Sequence, residues 1–168
     1  MAIYTKTGDR GETKVFDKKT QKLVRVGKAS CKIRAIGTID ELNSFLGIVG
    51  DLTQVQENLF VINSILAGSK LRFSKSQTKK LEREIDKMEG SLPVLKNFIH
   101  YGGSPKAALL FYARAICRRA ERSLVSFSKE QVVKPEISTY MNRLSDYLFM
   151  LAREINHKEG IKEKTWVR

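Results

Sequence analysis

Nowhere does the chain gather a run of about eighteen apolar residues, the length a helix needs to cross a bilayer, so no membrane span is expected. The first residues hold no apolar signal core: Lys6 and Asp9 interrupt the stretch where one would lie, and the expected location is the cytoplasm. Cysteine is scarce. Cys31 and Cys117 lack metal-ligand spacing, and in a reducing compartment they are expected as buried thiols rather than a disulfide. No internal repeat, low-complexity tract or linker divides the 168 residues, which are expected to form a single domain. Acidic residues are few beside basic ones, 18 against 31, for a net charge of +13. That balance points to a polyanionic partner without choosing among nucleic acid, membrane surface and nucleotide.

Apolar residues make up 42% of the chain, enough for a core. Residues 1–34 differ from the rest: they are polar, rich in threonine and glycine, and suggest loop and short extended segments. Residues 38–157 carry helical periodicity. Thr38-Ile39-Asp40-Glu41 has the form of a capping box, and a helix is predicted from there to about Asp51, with Leu42, Phe45, Leu46 and Val49 at helical spacing. Further helices are predicted over Gln54–Ala67 and from about Ser76 to Gly90. Ser104-Pro105 reads as an N-cap followed by proline at the first helical position, opening a helix to about Ser128. Pro135 opens the last one, to about His157. Five helices and little strand imply an all-α bundle.

Four stretches have the composition of chemistry. In "YTKTGDRGET" (Tyr4–Thr13), Gly8 and Gly11 allow unusual backbone angles, successive amides can form an anion-binding nest, and Thr5, Thr7, Thr13 and Lys6 add donors and charge. The spacing is too short for a Walker loop, and a solvated turn would share this composition. In "FIHYGGS" (Phe98–Ser104), paired glycines before a helix N-terminus permit close approach of a ligand, or form an ordinary interhelix loop. In "ARAICRRAER" (Ala113–Arg122), Arg114, Arg118 and Arg122 line one helix face beside Arg119. Like charges so placed repel by a few tenths of a kcal/mol per pair, which calls for an anion or carboxylates opposite; Glu121 could orient one guanidinium. In "YMNRLSDYLFMLAR" (Tyr140–Arg153), Asn142, Arg143 and Asp146 lie within about a turn, and a mid-helix asparagine suggests a specific hydrogen bond, structural or to a ligand. Asp40, near the expected start of its helix, suits the macrodipole or could pair with an arginine across the bundle.

Together, "YTKTGDRGET", "AIGTIDELNSFLG", "GGS…ARAICRRAER" and "NRLSDYLFMLAR" resemble, in order and spacing over nearly the whole chain, the PduO-type ATP:cob(I)alamin adenosyltransferases. The resemblance implies a five-helix bundle, an N-terminal ATP-binding segment, and a homotrimer with active sites between subunits. It implies MgATP and a corrinoid as reactants, a cob(II)alamin reductase as partner, and a B12-dependent enzyme as possible recipient of the product. Cobalt(I) would attack the 5′-carbon of ATP, forming adenosylcobalamin and releasing tripolyphosphate. By position in the family, Thr5, Lys6, Thr7 and Gly8 wrap the phosphates, Thr13 and Lys14 close that loop, and Lys28 reaches the same ATP. Arg118, Arg119 and Arg122 bind the nucleotide with Glu121 beside them, and Asn142 contacts it from the last helix. Phe98 is the apolar group under the corrin that removes the lower axial ligand. Asp40 and Arg114 match an ion pair that holds the site together. Magnesium is expected on phosphate oxygens and water, so no protein ligand is assigned.

Tyr101 stands where the family commonly has proline, and His100 replaces a more usual apolar residue; both bear on how the corrin's lower face is covered. A non-catalytic corrinoid carrier of the same fold would share these motifs. Gly8-Asp9-Arg10-Gly11 also fits the G-x-x-G loop of KH domains, but such a loop joins two helices and needs a sheet that the pattern does not supply.

Overall fold

A computed structural model of the chain describes residues 4, 6–17 and 20–167. Two strands, β1 (Glu12–Asp17) and β2 (Lys22–Gly27), precede five helices: α1 (Cys31–Val49), α2 (Thr53–Ala67), α3 (Lys75–Ser91), α4 (Pro105–Ser128) and α5 (Pro135–Lys158). The all-α expectation holds for the bundle, with a hairpin added in front of it.

The strands pair antiparallel from Glu12↔Gly27 to Asp17↔Lys22. Strand alternation places Thr13, Val15, Val24 and Val26 on one face, where Val15 is buried. Phe16, on the other face, lies against the end of α2: a Cβ on Gly68 would come within 2.8 Å of the Phe16 carbonyl. The same carbonyl accepts a hydrogen bond from Lys32 Nζ at 3.1 Å. The hairpin is thereby tied to the start of α1 and the end of α2. Gly8-Asp9-Arg10-Gly11 forms a turn leading into β1, closed by Gly11 N–H to the Gly8 carbonyl at 3.2 Å, and does not join two helices.

The first helix starts about two turns before the expected Thr38. Ser30 is its N-cap, accepting from the Ile33 amide. Thr38 instead sits inside the helix, its hydroxyl bonding back to the carbonyls of Arg34 and Ala35 at 3.0 and 3.1 Å. The reason is packing: Ala35 is fully buried and extends the stripe of Ile39, Leu42 and Leu46 upstream. Asp40 is thus a mid-helix surface residue, and the macrodipole no longer accounts for it.

The other helices begin and end within one residue of their expected bounds. Ser104 caps α4 through the Ala107 amide, with Pro105 following as expected. α4 packs between α1 and α5, while α2 lies on α1 and α3 on α5. Leu110, Ile116, Cys117, Leu124, Ile137, Leu144 and Leu148 form the centre. Tyr140 is fully buried among them and its hydroxyl accepts from Asn58 Nδ2 at 3.1 Å, joining α2 to α5. Neither cysteine is in a disulfide; Cys117 is buried, as expected, whereas Cys31 is only half-buried. Burial pushes the Cys117 thiol well above its usual range. No helix among the described residues is long and apolar enough to cross a membrane.

Candidate active site

The N-terminal loop is shaped by three backbone features. Lys6 has a φ of 55°, uncommon for a side chain of its kind, and its ammonium lies 5.9 Å from the Tyr4 ring centre. Gly11 has a φ of 80°. At Gly8 a Cβ would come to 3.3 Å from the Glu12 carbonyl and 3.4 Å from Lys28 Nζ. Lys28 therefore stands directly beside the glycine turn, and its own amide bonds the Gly11 carbonyl at 2.8 Å. Arg25 braces the loop from β2, donating to the Thr7 carbonyl at 2.6 Å and to Glu12 at 2.7 Å. Lys6, Lys14 and Lys28 are exposed and Thr13 is half-buried in β1. Lys6, Thr7, Gly8 and Lys28 thus gather at the glycine turn, while Thr13 and Lys14, consecutive on β1, face opposite sides of the hairpin. Thr5 lies outside the described residues.

The second cluster is on α4. The arginines expected to act as a row fall into three situations. Arg119 pairs with Glu41 of α1. Arg114 is half-buried between two rings, 5.3 Å from the centres of both Tyr101 and Phe149, and donates to the Tyr101 hydroxyl at 3.2 Å. Arg118 and Arg122 are exposed, and their side chains make no hydrogen bond or ion pair with the described residues. Glu121 does not orient a guanidinium; it accepts from Asn142 Nδ2 at 2.9 Å, which places Asn142 of α5 beside the arginine face. Arg143 serves structure instead, binding Asp146 at 2.9 Å and Glu82 of α3 at 3.3 Å.

The expected ion pair between Asp40 and Arg114 does not form within the chain. Tyr101, the residue that departs from the family pattern, takes the guanidinium through its hydroxyl and its ring. It is itself stacked on Phe111, with ring centres 5.1 Å apart. Asp40 is left exposed on α1.

Phe98 lies on the extended segment before α4 and is 79% exposed. Its neighbour Ile99 is buried, since an extended chain points successive side chains to opposite sides. With Leu95, Trp166 and Val167, Phe98 lines an open hollow of about 460 Å³. Of the paired glycines that follow, Gly102 has open space around it, whereas Gly103 is demanded by the fold. Gly103, at a φ of 107°, faces Asn156 so closely that a Cβ there would lie 2.1 Å from its Oδ1. Asn156 is buried, accepts from the Ser104 amide at 3.0 Å and donates to the Gly102 carbonyl at 2.9 Å. Sequence reasoning missed Asn156. The signal available was an amide side chain in the last turn, four residues after Ala152 and eight after Leu148 on the buried stripe of α5.

The family profile described as cobalamin adenosyltransferase matches residues 3–155. The corrinoid adenosyltransferase of Bacillus subtilis is 36% identical, aligned over 100% of this chain and 93% of its own length. The cobalamin adenosyltransferase of Cupriavidus metallidurans is also 36% identical, over 99% and 94%. A solved structure of a variant PduO-type ATP:corrinoid adenosyltransferase from Lactobacillus reuteri, complexed with cobalamin and ATP, superposes with a TM-score of 0.91 at 31% identity. It covers 99% of this chain and 100% of that one. With family profile, relatives and fold in agreement over the whole bundle, the chain belongs to the cobalamin adenosyltransferase family.

Proposed function

We propose that the chain transfers the 5′-deoxyadenosyl group of ATP to the cobalt(I) of a corrinoid, making adenosylcobalamin and releasing tripolyphosphate. The observation that carries this reading is the pair Arg118 and Arg122: two exposed guanidiniums, four residues apart, left without a carboxylate among the described residues, while Arg119 has one and Arg143 has two. Such a face is built for an anion from outside. As cobalt(I) gives its electron pair to the 5′-carbon, the carbon–oxygen bond breaks and negative charge grows on the triphosphate. Preorganised cations and amides stabilise that growth. Arg118 and Arg122 supply it from α4; Lys6, Lys28 and the amides of the Gly8 turn supply it from the N-terminal loop, with Thr7, Thr13 and Lys14 as further donors, and Thr5 is assigned by its family position alone. Arg119 and Asn142 complete the nucleotide contacts, and Glu121 holds Asn142 in place.

Among the described residues, no hydrogen bond or ion pair joins Lys6, Lys14 or Lys28 to Arg118, Arg119, Arg122 or Asn142; Arg119 and Asn142 meet Glu41 and Glu121 instead. This supports a homotrimer in which the loop of one subunit closes on the arginine face of the next. Asp40 fits the same reading, as an exposed carboxylate free to meet Arg114 of a neighbouring copy. Among the described residues no group of three His, Cys, Asp or Glu stands close enough to hold a metal. Magnesium prefers phosphate oxygens and water, so it would enter on the triphosphate.

Phe98 belongs to the corrinoid half. A large ring held in solvent beside Leu95, Trp166 and Val167 is an apolar patch waiting to be covered. Beneath the corrin, it would displace the lower axial ligand and leave four-coordinate cobalt(II), which a partner reductase reduces more readily. The reaction belongs in the cytoplasm, where ATP and reductant are both at hand.

The test is anaerobic: protein, MgATP and cobalamin held as cobalt(I) by a strong chemical reductant. The adenosylcobalamin spectrum and one tripolyphosphate per turnover are expected. Corrinoid binding with neither product would identify a carrier rather than an enzyme.

A further inference from the structure

The end of α5 holds a buried cation that the reaction as described does not use. Arg153 is 4% exposed and donates through Nε to Glu163 Oε1 at 2.6 Å and through Nη2 to Glu163 Oε2 at 3.0 Å. A second Nη2 bond reaches the Pro93 carbonyl at 2.9 Å, and Nη1 lies 3.9 Å from Met150 Sδ. One guanidinium thus joins three pieces of chain: α5, the segment leaving α3, and the residues after α5. The planar fork suits it to this, since two parallel bonds fix the carboxylate in both position and plane.

Both of the joined segments lead directly to Phe98. Pro93 opens the stretch that ends there. Beyond Glu163, the tail runs antiparallel to it: the His100 amide donates to the Lys164 carbonyl at 2.8 Å, Ile99 bridges Thr165, and the Trp166 amide donates to the Phe98 carbonyl at 2.7 Å. Phe98 itself is exposed and receives little packing, so its direction is set by backbone alone. A segment with few buried side chains is otherwise a low-stability element. Between the two segments lies a cleft of about 680 Å³, lined by Val94, Leu95, Ile161 and Lys162 together with Arg153 and Glu163. Among the described residues, no other side-chain hydrogen bond joins the two segments.

We infer that Arg153 and Glu163 are a positioning pair for the corrinoid step: by clamping the tail to the 93–100 segment, they hold the Phe98 backbone at the angle from which its ring can displace the lower ligand. This inference rests on the role given to Phe98 above. Neither residue touches the reacting atoms; both act through the Phe98 carbonyl and its partner amide.

Two measurements separate this inference from the reading it rests on. Amide exchange on the protein alone tests the clamp. In Glu163→Ala the amides of His100 and Trp166 should exchange at least tenfold faster than in the wild type, while those of α4 do not change. Magnetic circular dichroism of bound cob(II)alamin with ATP tests the consequence. The four-coordinate signal should fall at least fivefold in Glu163→Ala and less in Glu163→Gln, which keeps one acceptor, while the dissociation constant of ATP stays within twofold. Unchanged exchange at His100 and Trp166 would overturn the clamp whatever the enzyme does. Faster exchange with a full four-coordinate signal would overturn the positioning role, as would a parallel loss of ATP binding, which would make the pair a general support of the fold. Failure of the Phe98 reading looks different: Phe98→Ala would then keep the four-coordinate signal.

Discussion

The arginines of α4 and the arginine at the end of α5 belong to adjacent helices and are treated in opposite ways. Arg153 is nearly sealed from water and meets a bidentate carboxylate and a carbonyl. Removing a charge from water costs several kcal/mol, so this arginine is affordable only because its donors are satisfied inside the chain. Arg118 and Arg122 are exposed, keep their hydration, and have no carboxylate. Their helix faces them with Glu121, but Asn142 takes that carboxylate. The contrast shows how one residue type divides between holding a fold and waiting for a ligand. A buried guanidinium must find its partners within the chain; an exposed, hydrated one on an ordered helix can exchange its water for a ligand.

The largest effect should come from breaking the open side. Arg118→Ala is expected to lower kcat/KM for ATP about 10²–10³-fold, about 3–4 kcal/mol in the barrier. Helix content by circular dichroism should not change, because the side chain supports nothing within the chain. Steady-state kinetics with saturating cob(I)alamin checks this. Turnover within a few-fold of the wild type would remove Arg118 from the phosphate site and blur the distinction.

The next effect comes from the closed side. Asn156 bonds the Ser104 amide and the Gly102 carbonyl from a buried position. Asn156→Ala leaves both without their partner and should cost about 1–3 kcal/mol of stability, read by urea denaturation. The loop it holds lies between Phe98 and α4, so the corrinoid should be affected more than ATP. A stable variant would mean that water replaces the amide, and that the loop is set by the β-bridge to the tail alone.

Much of this division was legible in the sequence, and the failures are specific. Helix stripes, Pro105 and Pro135 placed four helices within a residue of their observed bounds, because apolar periodicity and proline act locally. The start of α1 was missed because Thr38 carries a capping pattern, while Ser30 lacks the acidic partner that would advertise it; the burial of Ala35 decided the matter. Arg114, Arg118 and Arg122 were identifiable on one face from spacing alone, with Arg119 beside them, but only the fold shows that Arg119 is taken by Glu41 and Arg114 by Tyr101. Gly103 looked open to a ligand because a glycine announces space without saying what fills it. Asn156, Arg153 and Glu163 were invisible for the same reason: each acts on backbone that is distant in sequence.

The smallest effect is expected at the residue between the two classes. Arg119 and Glu41 form an ion pair whose side chains are 45% and 49% exposed, so water screens it on both sides. Glu41→Ala should change stability by less than about 1 kcal/mol, and the change should shrink further at about 1 M salt, where the Debye length is only about 3 Å. Paired denaturation curves at low and high salt test this. A loss above about 2 kcal/mol that persists in salt would move Arg119 into the same class as Arg153, a bolt between α1 and α4. If stability barely moves, the pair is weak enough for a triphosphate to draw Arg119 away from Glu41. Glu41→Ala should then tighten ATP modestly, within about tenfold, since removing a competing carboxylate frees a guanidinium without altering the helix that carries it.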